Sequence, residues 1–179
     1  MTPVAAFHEE WFGRASQEVL ALLARSVADV PGEIVEVGSW EGRSTVALAN
    51  AVCPRKVQAV DTWAGSPGEV SSELAAKRDV FAQWCANVQC WTRGNVVANR
   101  MGWREFAPKV TEVAFLFVDA EHTYQEVFDN VVAFLPKMRP GGVICGDDAH
   151  HPPIRQALDD LFGAGEWGQD ATVWHWRAL

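Results

Sequence analysis

Apolar positions along the chain follow two alternating patterns. Short runs rich in Val, Ile and Phe, at Glu33 to Val37, Lys56 to Val60, Val88 to Thr92, Glu112 to Val118 and Gly142 to Cys145, read as strands, each followed by turn residues. Between them lie longer segments in which apolar residues recur every three or four positions, the period of a helix with one buried face. The clearest is Tyr124 to Leu135, where Tyr124, Val127, Phe128, Val131, Phe134 and Leu135 share a face. Thr123 caps it and Glu126 completes a capping box, while Pro136, Pro140, Gly141 and Gly142 stop the helix and turn the chain into the next strand. Residues 1–30 predict an amphipathic helical lead-in, and a helix from Thr45 to Val52 follows the first strand. Ile154, Leu158 and Leu161 mark a further helix, and Thr172 to Trp176 a last strand reached through the glycine-rich stretch Gly163 to Gly168. The expected class is α/β: a Rossmann-like, doubly wound, mostly parallel sheet with helices on both faces and an antiparallel C-terminal strand.

Composition narrows what such a fold does here. At 179 residues the chain predicts a single domain, 1–179, and 49% hydrophobic with 21% charged residues is globular composition. Fifteen Lys and Arg against 23 Asp and Glu give a net charge of -8, which disfavours long nucleic acid and favours a small-molecule partner. Cys53, Cys85, Cys90 and Cys145 form no CxxC pair, so they suggest reduced thiols and no cysteine zinc site. The start, MTPVAAFHEE, has neither a basic stretch nor an apolar core, and no run approaches the roughly 20 apolar residues of a membrane span. The expectation is a cytoplasmic protein without membrane contact. Homo-oligomerisation is left open.

The polar residues gather where such a sheet binds ligands, beyond the carboxyl ends of its strands. After the first strand, Gly38, Ser39, Trp40, Glu41, Gly42, Arg43 and Ser44 form a glycine turn into a helix, whose free N–H groups favour an acceptor group. Trp40 stands where a dinucleotide fingerprint has its second glycine, which argues against NAD. Asp61 ends the second strand at the spacing of a carboxylate that takes ribose hydroxyls, although Asp61-Thr62 also reads as a plain turn. Asp119 and the pair Asp147-Asp148 end two later strands. Three carboxylates brought together repel unless one is protonated or a cation such as Mg²⁺ or Mn²⁺ lies among them. His122 reads either as a hydrophobic staple facing Val127 or as a general base. His150 and His151 follow the acidic pair and either line the same mouth or belong to an ordinary turn before Pro152-Pro153.

The segments GEIVEVGSWEGRSTVALA, VQAVDTW, FLFVDAEHTYQEV and RPGGVICGDD resemble successive motifs of class I S-adenosylmethionine-dependent methyltransferases, over about residues 32–161. The similarity is greatest to the small branch of macrocin-type sugar and antibiotic O-methyltransferases, several of which use magnesium. The resemblance implies that Glu36 faces the methionine amino group and that Gly38, Ser39, Trp40, Gly42 and Ser44 surround the methionine part. It implies that Asp61 holds the ribose, with Thr62 and Trp63 near adenosine and Gly94-Asn95 near the adenine amino group. Asp119, Asp147 and Asp148 take the metal positions, and His122, Glu121 and Asp119 are the candidates for the proton. Related catechol-type enzymes carry lysine where His122 stands. The expected reaction is methylation of a hydroxyl on a sugar, antibiotic or aromatic acceptor, with S-adenosylmethionine as donor and a divalent metal assisting. A metal-independent methyltransferase, a non-catalytic nucleoside-binding module and an NAD-linked oxidoreductase are the competing readings.

Overall fold

The computed structural model describes residues 3–179. The first helix is α1 (Arg14–Arg25), shorter than the expected lead-in: residues 3 to 13 form no regular element, and residues 1 and 2 lie outside the described residues. Then follow β1 (Glu33–Val37), α2 (Arg43–Val52), β2 (Val57–Asp61), α3 (Val70–Ala75), α4 (Val80–Trp91) and β3 (Val96–Arg100). The second half holds α5 (Trp103–Phe106), β4 (Val113–Val118), α6 (Tyr124–Phe134), β5 (Met138–Gly146), α7 (Pro152–Phe162), β6 (Gly168–Asp170) and β7 (Val173–Arg177).

The strands form one sheet in the order β3-β2-β1-β4-β5-β7-β6, parallel through β5 and antiparallel at β5-β7 and β7-β6. All six residues of β4 are buried, as a central strand covered on both faces requires. Its neighbours divide their side chains by parity. Val35, Val37, Leu116 and Ile144 pack with α6 and α7, whereas Ile34, Phe115, Phe117 and Val143 pack with α1 and α2. Among the described residues no helix is long and apolar enough to cross a membrane.

Three expectations are corrected. Val88 to Thr92 is not a strand: Val88 to Trp91 form the last turn of α4, whose buried positions Val80, Gln83, Trp84 and Asn87 keep helical spacing, and the third strand lies at Val96–Arg100. Pro140 and Gly141 do not precede β5 but lie within it, in the stretch where the register against β4 shifts between Val113 and Phe115. The capping box is half formed. Thr123 accepts from the Glu126 N–H, but the Glu126 carboxylate turns to Arg104 and Trp103.

Sheet order reverses between β1 and β4, and the register brings Val37 level with both Val60 and Val118. The residues that follow these strands, Gly38, Asp61 and Asp119, therefore emerge side by side at one edge, and Asp147 follows from β5.

Candidate functional site

A cavity of about 1020 Å³ opens along this edge. Of the residues singled out in the sequence, Gly38, Ser39, Trp40, Ser44, Asp61, Thr62, Asp119, Glu121, His122, Asp147 and Asp148 line it. Its volume is at the upper end of small-molecule sites and fits two molecules side by side.

The loop after β1 forms one wall and is held from below. Gly38 has φ 86, and an added Cβ would lie 1.9 Å from the Asp119 carbonyl oxygen, so only glycine fits. Glu36 is fully buried beneath the loop. Its Oε2 accepts from the Ser39 and Thr45 hydroxyls, while Oε1 has no partner. Burial pushes this carboxyl up to about 7 against the pull of those hydroxyls. Asp61 accepts the N–H groups of Ser39 at 2.7 Å, Trp40 at 2.9 Å and Trp63 at 2.6 Å, which clamps the loop to the end of β2.

The opposite wall carries the acidic cluster. Asp119 Oδ1 lies 4.0 Å and Asp148 Oδ2 2.8 Å from His122 Nε2, and Glu69 Oε1 approaches His122 Nδ1 at 3.1 Å. Asp119, His122 and Asp148 thus present three donor atoms within 4.8 Å of one another. Asp147 also lines the cavity, with its Oδ1 accepting from Thr172, which in turn meets Ser16. Burial, reinforced by Asp147, holds the Asp119 carboxyl well above its usual range. The contact with Asp148 raises His122 to about 9 and lowers Asp148 in return. Both ring nitrogens of His122 thus face carboxylates, which favours its charged form. An apolar staple does not have that arrangement.

Some residues expected at the site lie elsewhere. Trp63 is buried behind the wall against Phe81 and Trp84, with its indole N–H on the Trp40 carbonyl. Glu36 and Gly42 also lie outside the lining. Gly94 and Asn95 precede β3, at the amino ends of the strands, where Asn95 donates to the Ala49 and Arg55 carbonyls. They cannot meet a ligand at the carboxyl ends. Met101, Gly102 and Trp103, just beyond β3, line the cavity instead.

Sequence reasoning also missed the segment before α1, which crosses the mouth as a strap. Phe7, Glu9, Trp11 and Phe12 line the cavity. Gln83 donates to the Val4 and Ala6 carbonyls, Asn87 pairs with both backbone groups of Ala6, and Glu41 takes the His8 N–H. Arg78 joins Glu9 to Glu41. The signal available was the pair of amides Gln83 and Asn87, four residues apart on one helix.

A family model described as a methyltransferase domain matches residues 35–149. Solved structures share the fold: the O-methyltransferase NovP at TM-score 0.72 and 22% identity, covering 93% of this chain and 81% of that one. CalS11, described as a TDP-rhamnose 3'-O-methyltransferase in calicheamicin biosynthesis, aligns at TM-score 0.61 and 20% identity over the same shares. TomG from Streptomyces achromogenes, an O-methyltransferase of tomaymycin synthesis solved with S-adenosylmethionine, aligns at TM-score 0.61 and 18% identity, covering 93% and 81%. No curated protein matches the chain in sequence.

Proposed function

The chain belongs to the methyltransferase-domain family, and from that premise we propose that it is an S-adenosylmethionine-dependent O-methyltransferase acting on a hydroxyl of a small sugar, antibiotic or aromatic acceptor. The carrying observation is that one cavity joins the clamped loop after β1 to the carboxylate wall after β4 and β5. Donor and acceptor then meet at the point where strand order reverses.

The donor's methionine part fits the loop wall. Gly38 leaves room for close backbone approach, and the unpartnered Glu36 Oε1 beneath Ser39 offers an acceptor for an ammonium group or its water. Asp61 spends one acceptor site of Oδ1 on Trp63 and keeps capacity for a ribose hydroxyl. Thr62, Met101 and Gly102 line the region beyond it, where adenine would fall.

Methyl transfer forms a bond between acceptor oxygen and methyl carbon as the sulfonium C–S bond breaks, so the protein contributes mainly alignment and removal of the hydroxyl proton. An imidazolium has no lone pair to take that proton. His122 instead holds Asp148 and Glu69 in place, and where no metal occupies the site the ionised form of Asp119, whose proton affinity burial raises, receives it. Glu121, also raised by burial, is the second acceptor in reach of the cavity.

The carboxyls of Asp119, Asp147 and Asp148 fit a divalent cation such as Mg²⁺ or Mn²⁺, because Asp119 is left with carboxylate neighbours and no hydrogen-bond donor among the described residues. Such an ion supplies Lewis-acid activation of a coordinated hydroxyl. His122 supports a second reading, transfer without metal, since a cation already sits among these carboxylates.

Calorimetry with S-adenosylhomocysteine, then methyl transfer to sugar and phenolic hydroxyls in Mg²⁺ and in excess chelator, tests both. Binding with Mg²⁺-restored transfer is expected. Undiminished transfer in chelator selects the metal-free reading, and binding without transfer to any hydroxyl leaves a nucleoside-binding module.

A further inference from the structure

We propose that the rim of the cavity carries a transition-metal site built from Asp148, His150 and His151, which takes ions of the Zn²⁺ and Co²⁺ class. It shares Asp148 with the oxygen-ligand set deeper in the cavity and differs from it by its two imidazoles. The three residues present one donor atom each within 4.8 Å of one another. His150 Nε2 lies 3.8 Å and His151 Nε2 3.9 Å from the same atom, Asp148 Oδ1. These separations exceed a hydrogen bond, and they approach the spacing of about 3.3–3.4 Å between ligands on a tetrahedral ion with bonds of about 2.0–2.1 Å.

The donors are also free. Among the described residues neither imidazole makes a hydrogen bond to the protein, and Asp148 directs its other oxygen, Oδ2, to His122. The loop holds them as a set. Asp148 stands at φ 58, its carbonyl accepts the His151 N–H at 2.9 Å, and the Ala149 N–H is tied to the Thr172 carbonyl at 3.0 Å. Pro152 and Pro153 then start α7 and fix the backbone immediately after His151. The backbone is thus set, and an ion would order only the two imidazole rings.

Two imidazoles and one carboxylate decide the ion. Nitrogen donors suit zinc, cobalt and nickel, whereas Mg²⁺ prefers oxygen. Three protein ligands leave a fourth position on a tetrahedral ion open toward the cavity, where a hydroxyl or carboxylate of the acceptor would bind. The site rests on these three residues and not on the methyl-transfer reading.

The test uses chelator-stripped full-length protein. Co²⁺ titration is followed by visible absorption, with Zn²⁺ and Mg²⁺ as competitors, on the parent chain, the double variant His150→Ala/His151→Ala and the control His175→Asn, each checked for a cooperative thermal transition. One bound Co²⁺ with tetrahedral absorption is expected, displaced by equimolar Zn²⁺ but not by a large excess of Mg²⁺. The double variant loses at least the roughly tenfold to hundredfold affinity that even outer-sphere partners of a metal ligand contribute, and the control loses none. Equal Co²⁺ affinity in the parent and the double variant, a loss shared by the control, or displacement by Mg²⁺ at matching concentration would overturn the assignment. The single variants His150→Gln and His151→Gln replace the double one if its transition is lost. S-Adenosylhomocysteine calorimetry on the same samples keeps the two proposals apart, because Co²⁺ binding without nucleoside binding refutes only the methyltransferase chemistry.

Discussion

In His122 both ring nitrogens face carboxylates, and the resulting shift has a definite sign. The imidazole binds its proton more tightly folded, at about 9, than the ordinary 6.5 of an unfolded chain. Its contribution to stability is full below about 6.5 and is lost as pH rises through 9. In metal-free protein the loss between pH 6.5 and 9.5 is expected to be on the order of 1–2 kcal/mol after allowance for solvent screening, a Tm drop of a few degrees that His122→Gln largely removes. Glu36 behaves oppositely in origin. Its folded carboxyl titrates near 7 and its unfolded one near 4.5, so the folded state loses stability as pH rises across that interval and stays level above it. Urea unfolding at pH 4.5 and 8 should show a drop in the parent chain that is smaller by about 2–3 kcal/mol in Glu36→Gln.

The strap and α4 depend on each other through two amides. Replacing Gln83 and Asn87 by alanine removes the donors that hold the Val4 and Ala6 carbonyls. We expect faster limited proteolysis before Gly13 and faster release of S-adenosylhomocysteine, with a decrease of about 1–3 kcal/mol in global stability. A parent-like cleavage rate would show that the aromatic residues alone keep the strap down. The same amides explain what was legible in the sequence. β1, β4, α6 and α7 announced themselves because their buried positions are apolar apart from Glu36 and Asn130, so period and boundary agreed with the folded chain. In α4 two of four buried positions are Gln83 and Asn87, and the remaining alternation of Val88 and Cys90 imitated a strand. That displaced the third strand and carried Gly94-Asn95 to the wrong end of the sheet. β6 has three residues and no buried one, so it leaves no apolar signature. The acidic wall was legible because strand ends fix its backbone. The turn of Asp147 toward Thr172 and the gathering of Glu69 on His122 were not, since both depend on contacts distant in sequence.

Across the molecule the reversal point between β1 and β4 sets which parts can be altered independently. Asp61→Ala strikes the loop wall alone. It removes the acceptor of three backbone N–H groups and is expected to weaken S-adenosylhomocysteine at least about tenfold while Mn²⁺ binding, followed by electron paramagnetic resonance, stays at the parent level. Gly38→Ala strikes both walls, because the new methyl would displace the Asp119 carbonyl, and both ligands should weaken together. Equal Mn²⁺ affinity in Gly38→Ala would show that Asp119 yields without moving its carboxylate. If the carboxylate wall takes an ion as proposed, that single backbone contact would also couple the two ligands in the unaltered protein. If occupying the loop presses Gly38 against Asp119, the factor by which nucleoside changes the affinity for the ion must equal the factor by which the ion changes the affinity for nucleoside. Filling order then follows each concentration relative to its own affinity, and a closed thermodynamic square of four calorimetric titrations gives the strength of the link in one number.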